Sequence, residues 1–233
     1  MVAIENSVAL VTGGQRGLGK AFAEALVERG AAKVYVTARK PATSDDPRIL
    51  PVVLDVTDQD AVSSLAAQAR EVTIVINNAG VLIPSPLLKA DMADVVATFD
   101  TNVFGALRVA QTFAPILAAN GGGALVDMHS VLSWGAGAAA YGASKAALWS
   151  ITNSLRVELA SQGTQVVGVH LGFADTDMVA GISVPKVSPA EVAIAVLDGI
   201  EGGADEVLVD EVTRRMKAAL SGPVGGLTVA IGR

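Results

Sequence analysis

The chain has 233 residues, 51% of them hydrophobic and 17% charged, with a formal net charge of −6 and no cysteine. This is the composition of one globular domain with a substantial core, and it excludes disulfides, thiolate metal sites and cysteine catalysis. The negative balance argues against a nucleic-acid or membrane-surface binder, which needs a positive field to gather phosphates, and the lack of cysteine fits a reducing compartment, so a soluble cytoplasmic protein is expected.

The N-terminal segment MVAIENSVALVTGG has no basic stretch leading into an apolar run, and nowhere do roughly 18 consecutive apolar residues occur. Short β-branched runs then alternate with longer helical stretches. Strands are predicted at Val8 to Gly13, Val34 to Thr37, Val52 to Asp55, Thr73 to Asn77, Ala124 to Met128, Val166 to His170 and Val207 to Val209. Helices are predicted near 17 to 29, 58 to 70, 92 to 119, 141 to 161, 189 to 200 and 211 to 220. Strands that are apolar on both faces and separated by helices point to a parallel sheet covered on both sides. The expected fold is therefore a single-domain, Rossmann-type, doubly wound α/β sheet of about seven strands, spanning residues 1–220. The glycine-rich tail from Ser221 to Arg233 is expected to be mobile or to pack on a neighbouring subunit.

After the first strand comes TGGQRGLGK, in which Gly13, Gly17 and Gly19 permit a tight turn and close backbone approach to a diphosphate. Gly14 to Lys20 also fits the nucleotide-hydrolase loop G-x-x-x-x-G-K, but Ala21 stands where a serine or threonine should hold magnesium, which disfavours that reading. In dinucleotide-binding units an acid about 20 positions on grips the ribose 2′-hydroxyl, whereas a basic residue suits a 2′-phosphate. Here the second strand ends in Arg39 and Lys40, and Arg16 inside the loop adds a further guanidinium, so NADP is favoured over NAD. Asp55 either faces the adenine amino group or caps the turn that follows it. The two histidines, His129 and His170, are too few for a triad or a metal site and read as structural or pocket-lining. No G-x-S-x-G elbow occurs, and no ligand cluster supports a metal.

Between Val8 and Val209 the motifs resemble the short-chain dehydrogenase/reductase family in its compact single-domain branch. The features that carry the likeness are Thr12 with the three glycines, NNAG at Asn77 to Gly80, Asn102 in DTNVFG, a serine ahead of the active helix, and YGASK with Tyr141 and Lys145. The resemblance implies an NADP(H)-dependent oxidoreductase acting on a ketone, aldehyde or secondary alcohol, as a homodimer or homotetramer. It implies catalytic roles for Asn102, Ser130, Tyr141 and Lys145. Tyr141 would be the proton donor or acceptor, Lys145 its charge partner and ribose contact, and Asn102 the holder of a relay water. From the glycine loop, cofactor contacts are implied at Gly13, Gln15, Arg16, Gly17, Leu18 and Gly19. Later strand ends add Arg39, Asp55, Val56, Asn78, Ala79 and Gly80, then Gly172 and Thr176 beside Tyr141 and Lys145.

The chain departs from the family pattern twice. The family's usual serine position falls on Met128, whereas Ser130 and Ser133 stand closer to the tyrosine. Ser130 is preferred, with a two-residue deletion in the GAGAAA connection, and Ser133 becomes a loop residue near the substrate. After the sixth strand, Leu171 replaces the usual proline, while Gly172 and Thr176 remain. A pocket lined by Ser133, Trp134, Phe173 and the short 179–192 segment is expected to be mainly apolar. The alternative to catalysis is an NADP-binding regulator on the same fold, since fold alone does not fix function.

Overall fold

Seven runs rich in valine, isoleucine and alanine pair side by side, and the helices between them cover both faces of the resulting sheet. The computed structural model describes residues 1–229. Its strands are β1 Val8–Val11, β2 Lys33–Ala38, β3 Ile49–Val53, β4 Ile74–Asn77, β5 Gly123–Met128, β6 Thr164–His170 and β7 Glu206–Leu208. They pair in parallel in the order β3-β2-β1-β4-β5-β6-β7. The order reverses between β1 and β4, and ligands of such sheets sit at the carboxyl ends of the strands beside that point.

Two apolar layers hold the sheet. One packs α1 Gly17–Glu28 and α6 Pro189–Glu201 on one face, through Phe22, Leu26, Val196 and Ile200. The other packs α2 Gln59–Gln68 and α4 Ala106–Ala119 on the opposite face, through Leu65, Val109, Phe113 and Leu117. α5 Ala139–Glu158 joins the second layer through Leu155, α3 Met92–Phe99 packs on α5, and α7 Glu211–Ala218 is the last α-helix of the described residues. Among the described residues no helix is long and apolar enough to cross a membrane.

Two local outcomes differ from the sequence expectation. β3 begins at Ile49 and ends at Val53, so the expected run from Val52 to Asp55 straddles its end. Register explains the shift: Val34 pairs with Ile49 and Ala38 with Val53, which draws Pro51 into the strand. Pro51 is tolerated because β3 is the sheet edge, where a missing N–H breaks no ladder. The long helix expected at 92 to 119 is interrupted by one π-helical turn, Asp100–Gly105, which carries Asn102. In the tail, Leu227 and Val229 lie against their own chain, and residues 230–233 lie outside the described ones. Ala136 N–H donates to Leu227 O at 2.8 Å, and Leu227 and Val229 pack on Val131, Leu132 and Trp134.

Candidate active site

Glycine chemistry opens one end of the cleft. Gly13 and Gly17 have φ of 64° and 52°, the left-handed region that favours glycine. A Cβ on Gly13 would come within 3.0 Å of Ala79 Cα, and one on Gly17 within 3.1 Å of Thr176 Cγ2. α1 follows with no acidic residue in its first turn and no side-chain cap, leaving its amides for an anion. Thr12 and Asn78 stitch this loop to the end of β4. Thr12 Oγ1 accepts from the N–H groups of Asn78 and Ala79, both at 3.0 Å, and Asn78 Nδ2 donates to Thr12 O at 2.9 Å.

The cleft has a volume of about 530 Å³. Gly13, Arg16, Gly17 and Leu18 line one end, and Arg39, Asp55, Val56, Asn78, Ala79 and Gly80 line its flank. Gly172 and Thr176 close it from the β6 side. Two expected contacts are not in its wall. Gln15 turns aside to accept the Ala42 N–H at 2.9 Å, so it braces the segment after Arg39. Gly19 lies behind the loop, where a side chain would strike the Gly13 carbonyl and the Asn78 amide. Asp55 Oδ1 accepts from the Thr57 N–H and hydroxyl, and these bonds, the backbone one foremost, hold its carboxyl below the usual range. Asp55 thus caps its turn while its carboxylate lines the cleft.

At the floor of the cleft, Ser130, Tyr141 and Lys145 come together. Tyr141 and Lys145 are four residues apart on α5 and share a face, with Lys145 Nζ 5.7 Å from the tyrosine ring centre. Burial pushes the Tyr141 phenol up to about 12, with the neighbouring Ser130 hydroxyl opposing it. Burial also brings Lys145 down to about 8, with Asp127 opposing. The ammonium donates to Met128 O at 2.7 Å.

The two serines separate cleanly. Ser130 lines the cleft and meets the phenol. Ser133 turns back so that its hydroxyl accepts the Ser130 N–H at 3.3 Å, while the Ser130 hydroxyl accepts the Leu132 N–H at 3.2 Å. This reciprocal cap of the Val131–Ser133 turn sets the direction of Ser130. Ser133 and Trp134 therefore lie behind the cleft and do not line it. Trp134 is buried and stacks on His170 at 3.9 Å between ring centres. The apolar wall instead comes from Val81, Ala97, Leu171, Phe173, Met178 and Val179.

Asn102 is 1% exposed, and its side chain is fully engaged. Its Oδ1 accepts the Val81 N–H at 2.8 Å, and its Nδ2 donates to Val81 O at 2.9 Å and to Ser144 Oγ at 3.0 Å. It thus braces the chain after β4 against α5 between Tyr141 and Lys145. One residue that the sequence reading passed over also holds the site: Asp210 Oδ2 accepts the Gly172 N–H at 2.6 Å while Oδ1 caps α7 through Thr213 N–H at 2.9 Å. The aspartate followed three residues later by a threonine was the available signal, legible as a helix cap.

Comparison with known proteins agrees with this geometry. The family model for short chain dehydrogenases matches residues 7–186. A crystal structure of a short chain dehydrogenase from Burkholderia cenocepacia J2315 in complex with NADP superposes with a TM-score of 0.91 at 39% identity, covering 96% of each chain. An uncharacterised oxidoreductase of Staphylococcus saprophyticus is 28% identical over 92% of this chain and 99% of its own. The cis-4-hydroxycyclohexanecarboxylate dehydrogenase of Sinomonas cyclohexanicum is 34% identical over 77% of this chain and 78% of its own. With the family model matching residues 7–186 and the fold superposing over 96% of the chain, the chain belongs to the short-chain dehydrogenase/reductase family of oxidoreductases.

Proposed function

We propose that the protein is an NADP(H)-dependent carbonyl reductase or alcohol dehydrogenase in which Tyr141 is the general acid/base. The observation that carries this reading is the meeting of Ser130, Tyr141 and Lys145 in the same cleft as the glycine loop and the two arginines. The dinucleotide would be held by the Gly13 to Leu18 backbone, by Asp55 and Val56 at the adenine end, by Asn78 to Gly80, and by Gly172 and Thr176. Arg16 and Arg39 are the cations available to a 2′-phosphate; the exposed Arg16–Asp177 pair, at 3.5 Å, is too weak to withhold Arg16. The NADP complex of the Burkholderia structure supports the same choice.

When bound, the nicotinamide supplies or takes up the hydride. Ser130 donates a hydrogen bond to the substrate oxygen and holds it beside the phenol. With its pKa pushed up to about 12, Tyr141 is protonated at neutral pH and suited to donate to that oxygen in the reductive direction. Lys145 then returns charge balance to the phenolate, and Asn102 acts by keeping α5 and the Val81 segment in register. The apolar wall formed by Phe173, Met178 and Val179 suits a hydrophobic ketone, aldehyde or secondary alcohol.

The test is oxidation of NADPH, followed by absorbance, with aliphatic, aromatic, cyclic and acyl-thioester carbonyls. Turnover should exceed that with NADH, and Tyr141→Phe should lower kcat by about 100-fold or more while leaving NADPH binding intact. Equal turnover by that variant would remove the acid/base role. NADPH binding without turnover on the whole panel would favour a regulator.

A further inference from the structure

Behind Ser130 lies a line of buried polar groups that the reaction itself does not use. Asp127 on β5, Thr152 on α5, His129 after β5 and His170 at the end of β6 are each 2% exposed or less. Thr152 Oγ1 lies 2.6 Å from Asp127 Oδ2 and 2.9 Å from His129 Nε2. His129 Nδ1 lies 3.1 Å from His170 Nε2, and His170 Nδ1 lies 3.2 Å from the carbonyl of Ser130. Beyond His170, the Glu206 carboxylate on β7 stands 3.4 Å from Nε2 and 2.8 Å from Lys217 Nζ on α7. The line therefore runs from Asp127, the residue before the Met128 carbonyl that holds Lys145, to β7 at the edge of the sheet.

Two end arrangements of the hydrogens satisfy it, with Leu148 O, 2.8 Å from Thr152 Oγ1, competing for the Thr152 hydrogen. The Ser130 carbonyl can only accept, so His170 Nδ1 carries a hydrogen in both. In the neutral arrangement, protonated Asp127 donates to Thr152, Thr152 to His129 Nε2, and His129 Nδ1–H to His170 Nε2. In the shifted arrangement each of these three hydrogens has moved one step outward. Thr152 then donates to an Asp127 carboxylate, His129 Nε2–H to Thr152, and His170 Nε2–H to His129, leaving His170 an imidazolium. Both arrangements hold the same four hydrogens, and the interconversion makes one anion at Asp127 and one cation at His170.

Opposing forces bear on the two. Burial raises Asp127 and so favours the neutral arrangement, whereas burial first, then His170 and the Lys145, Arg156 and Lys217 cations, lower His129 well below its ordinary value and keep it neutral in both. Glu206 favours the shifted one. Although burial pushes it up, hydrogen bonds from His170 and Lys217 bring it down to about 2, so a carboxylate faces His170. The charged groups facing the line are thus Lys145 and Arg156 at its inner end and Glu206 and Lys217 at its outer end; Trp134 stacks on His170, and Trp149 meets it edge-on.

We propose that Asp127, Thr152, His129 and His170 form a buried proton relay through which the Glu206–Lys217 pair sets the charge on Asp127 and thereby the charge on Lys145. They are positioning residues for the acid/base pair, and the proposal rests on reading Tyr141 and Lys145 as that pair. Asp127 is the group that supports the Lys145 ammonium against burial. Loss of its negative charge lets Lys145 deprotonate at lower pH.

The sign of the test follows. Asp127→Asn keeps the neutral hydrogen-bond pattern, since its amide donates to Thr152 as the protonated acid would. It should move the basic limb of kcat/KM downward by roughly one pH unit. Glu206→Gln, at the outer end and outside the cleft, should move it the same way by a smaller amount, and should do nothing further in a Thr152→Val background.

The chain has only two histidines, so long-range nitrogen-15 spectra assign all four imidazole nitrogens without substrate. Glu206→Gln should move His129 from Nε2–H toward Nδ1–H character. Identical histidine spectra in wild type and Glu206→Gln, together with an unmoved basic limb, would overturn the relay. So would an equal shift of the limb by Glu206→Gln with Thr152 present or replaced. Should Tyr141→Phe prove fully active, the acid/base reading falls while the nitrogen spectra still decide the relay.

Discussion

Lys145 is held in its charged form against the preference of its surroundings. Its pKa of about 8, against the ordinary 10.5, means that the fold destabilises the ammonium by roughly 3 kcal/mol near neutral pH. Lys145→Met should therefore abolish turnover and raise stability, by about 1–2 kcal/mol once the lost bond to Met128 O is allowed for. The pH dependence follows from the depressed pKa. The unfolded chain holds the lysine proton up to higher pH than the folded one, so wild-type stability rises between about 8 and 10.5. The variant's advantage is complete below that window and vanishes above it, which denaturant titrations at several pH values will read.

The same scale shows what the sequence made legible. Tyr141 and Lys145 could be placed because four residues on a helix is a local distance. Ser130 was preferred over Ser133 because it follows the strand end directly, and what the sequence did not show is the reciprocal cap that turns the Ser133 hydroxyl back onto the Ser130 N–H. Asp127, Thr152, His129 and His170 were not readable as a unit. Their contacts join β5, α5 and β6, and no local period brings those segments together.

At the scale of elements, the alternation of short apolar runs and helices was enough to give a parallel doubly wound sheet, and most helix limits lie within a few residues of expectation. The misplacement at β3 and the unforeseen π turn at Asp100–Gly105 have one kind of cause: pairing partners and packing decide where the element runs, and propensity does not see them. In the π turn, Gly105 meets Val56 so closely that a Cβ would stand 2.6 Å from Val56 Cγ2. The cap of α7 makes a sharper case, because Asp210 serves both the helix and the β6 turn that carries Gly172. Asp210→Ala should lower stability by about 2–3 kcal/mol, from a lost cap and a lost charge-assisted bond, and raise the KM for NADPH severalfold. Asp210→Asn retains an oxygen for Thr213 but cannot also accept from Gly172. It should keep more of the thermal stability while showing a similar rise in KM. A KM unchanged in both variants would confine Asp210 to capping.

At the scale of the whole molecule, α3, the π turn and α5 pack on one another and form one face. Each carries a large apolar side chain in solvent: Val96 is 59% exposed, Phe104 48% and Val157 79%. Single exposed apolar residues need no explanation, but three on adjoining elements fit an interface between copies of the chain, as the family resemblance implies. A stable dimer buries about 1,200–2,000 Å² in all, which a face two or three helices wide can supply. The protein should therefore run as a dimer or tetramer in size exclusion with light scattering. Phe104→Asp should lower that mass, from a dimer to one chain or from a tetramer to two, without disturbing the core, because the residue already faces solvent. Since assembly stabilises the folded state by mass action, the wild-type melting temperature should rise with protein concentration and that of Phe104→Asp should not. A monomeric wild type, or an oligomer indifferent to Phe104→Asp, would show that this face is not the one that assembles.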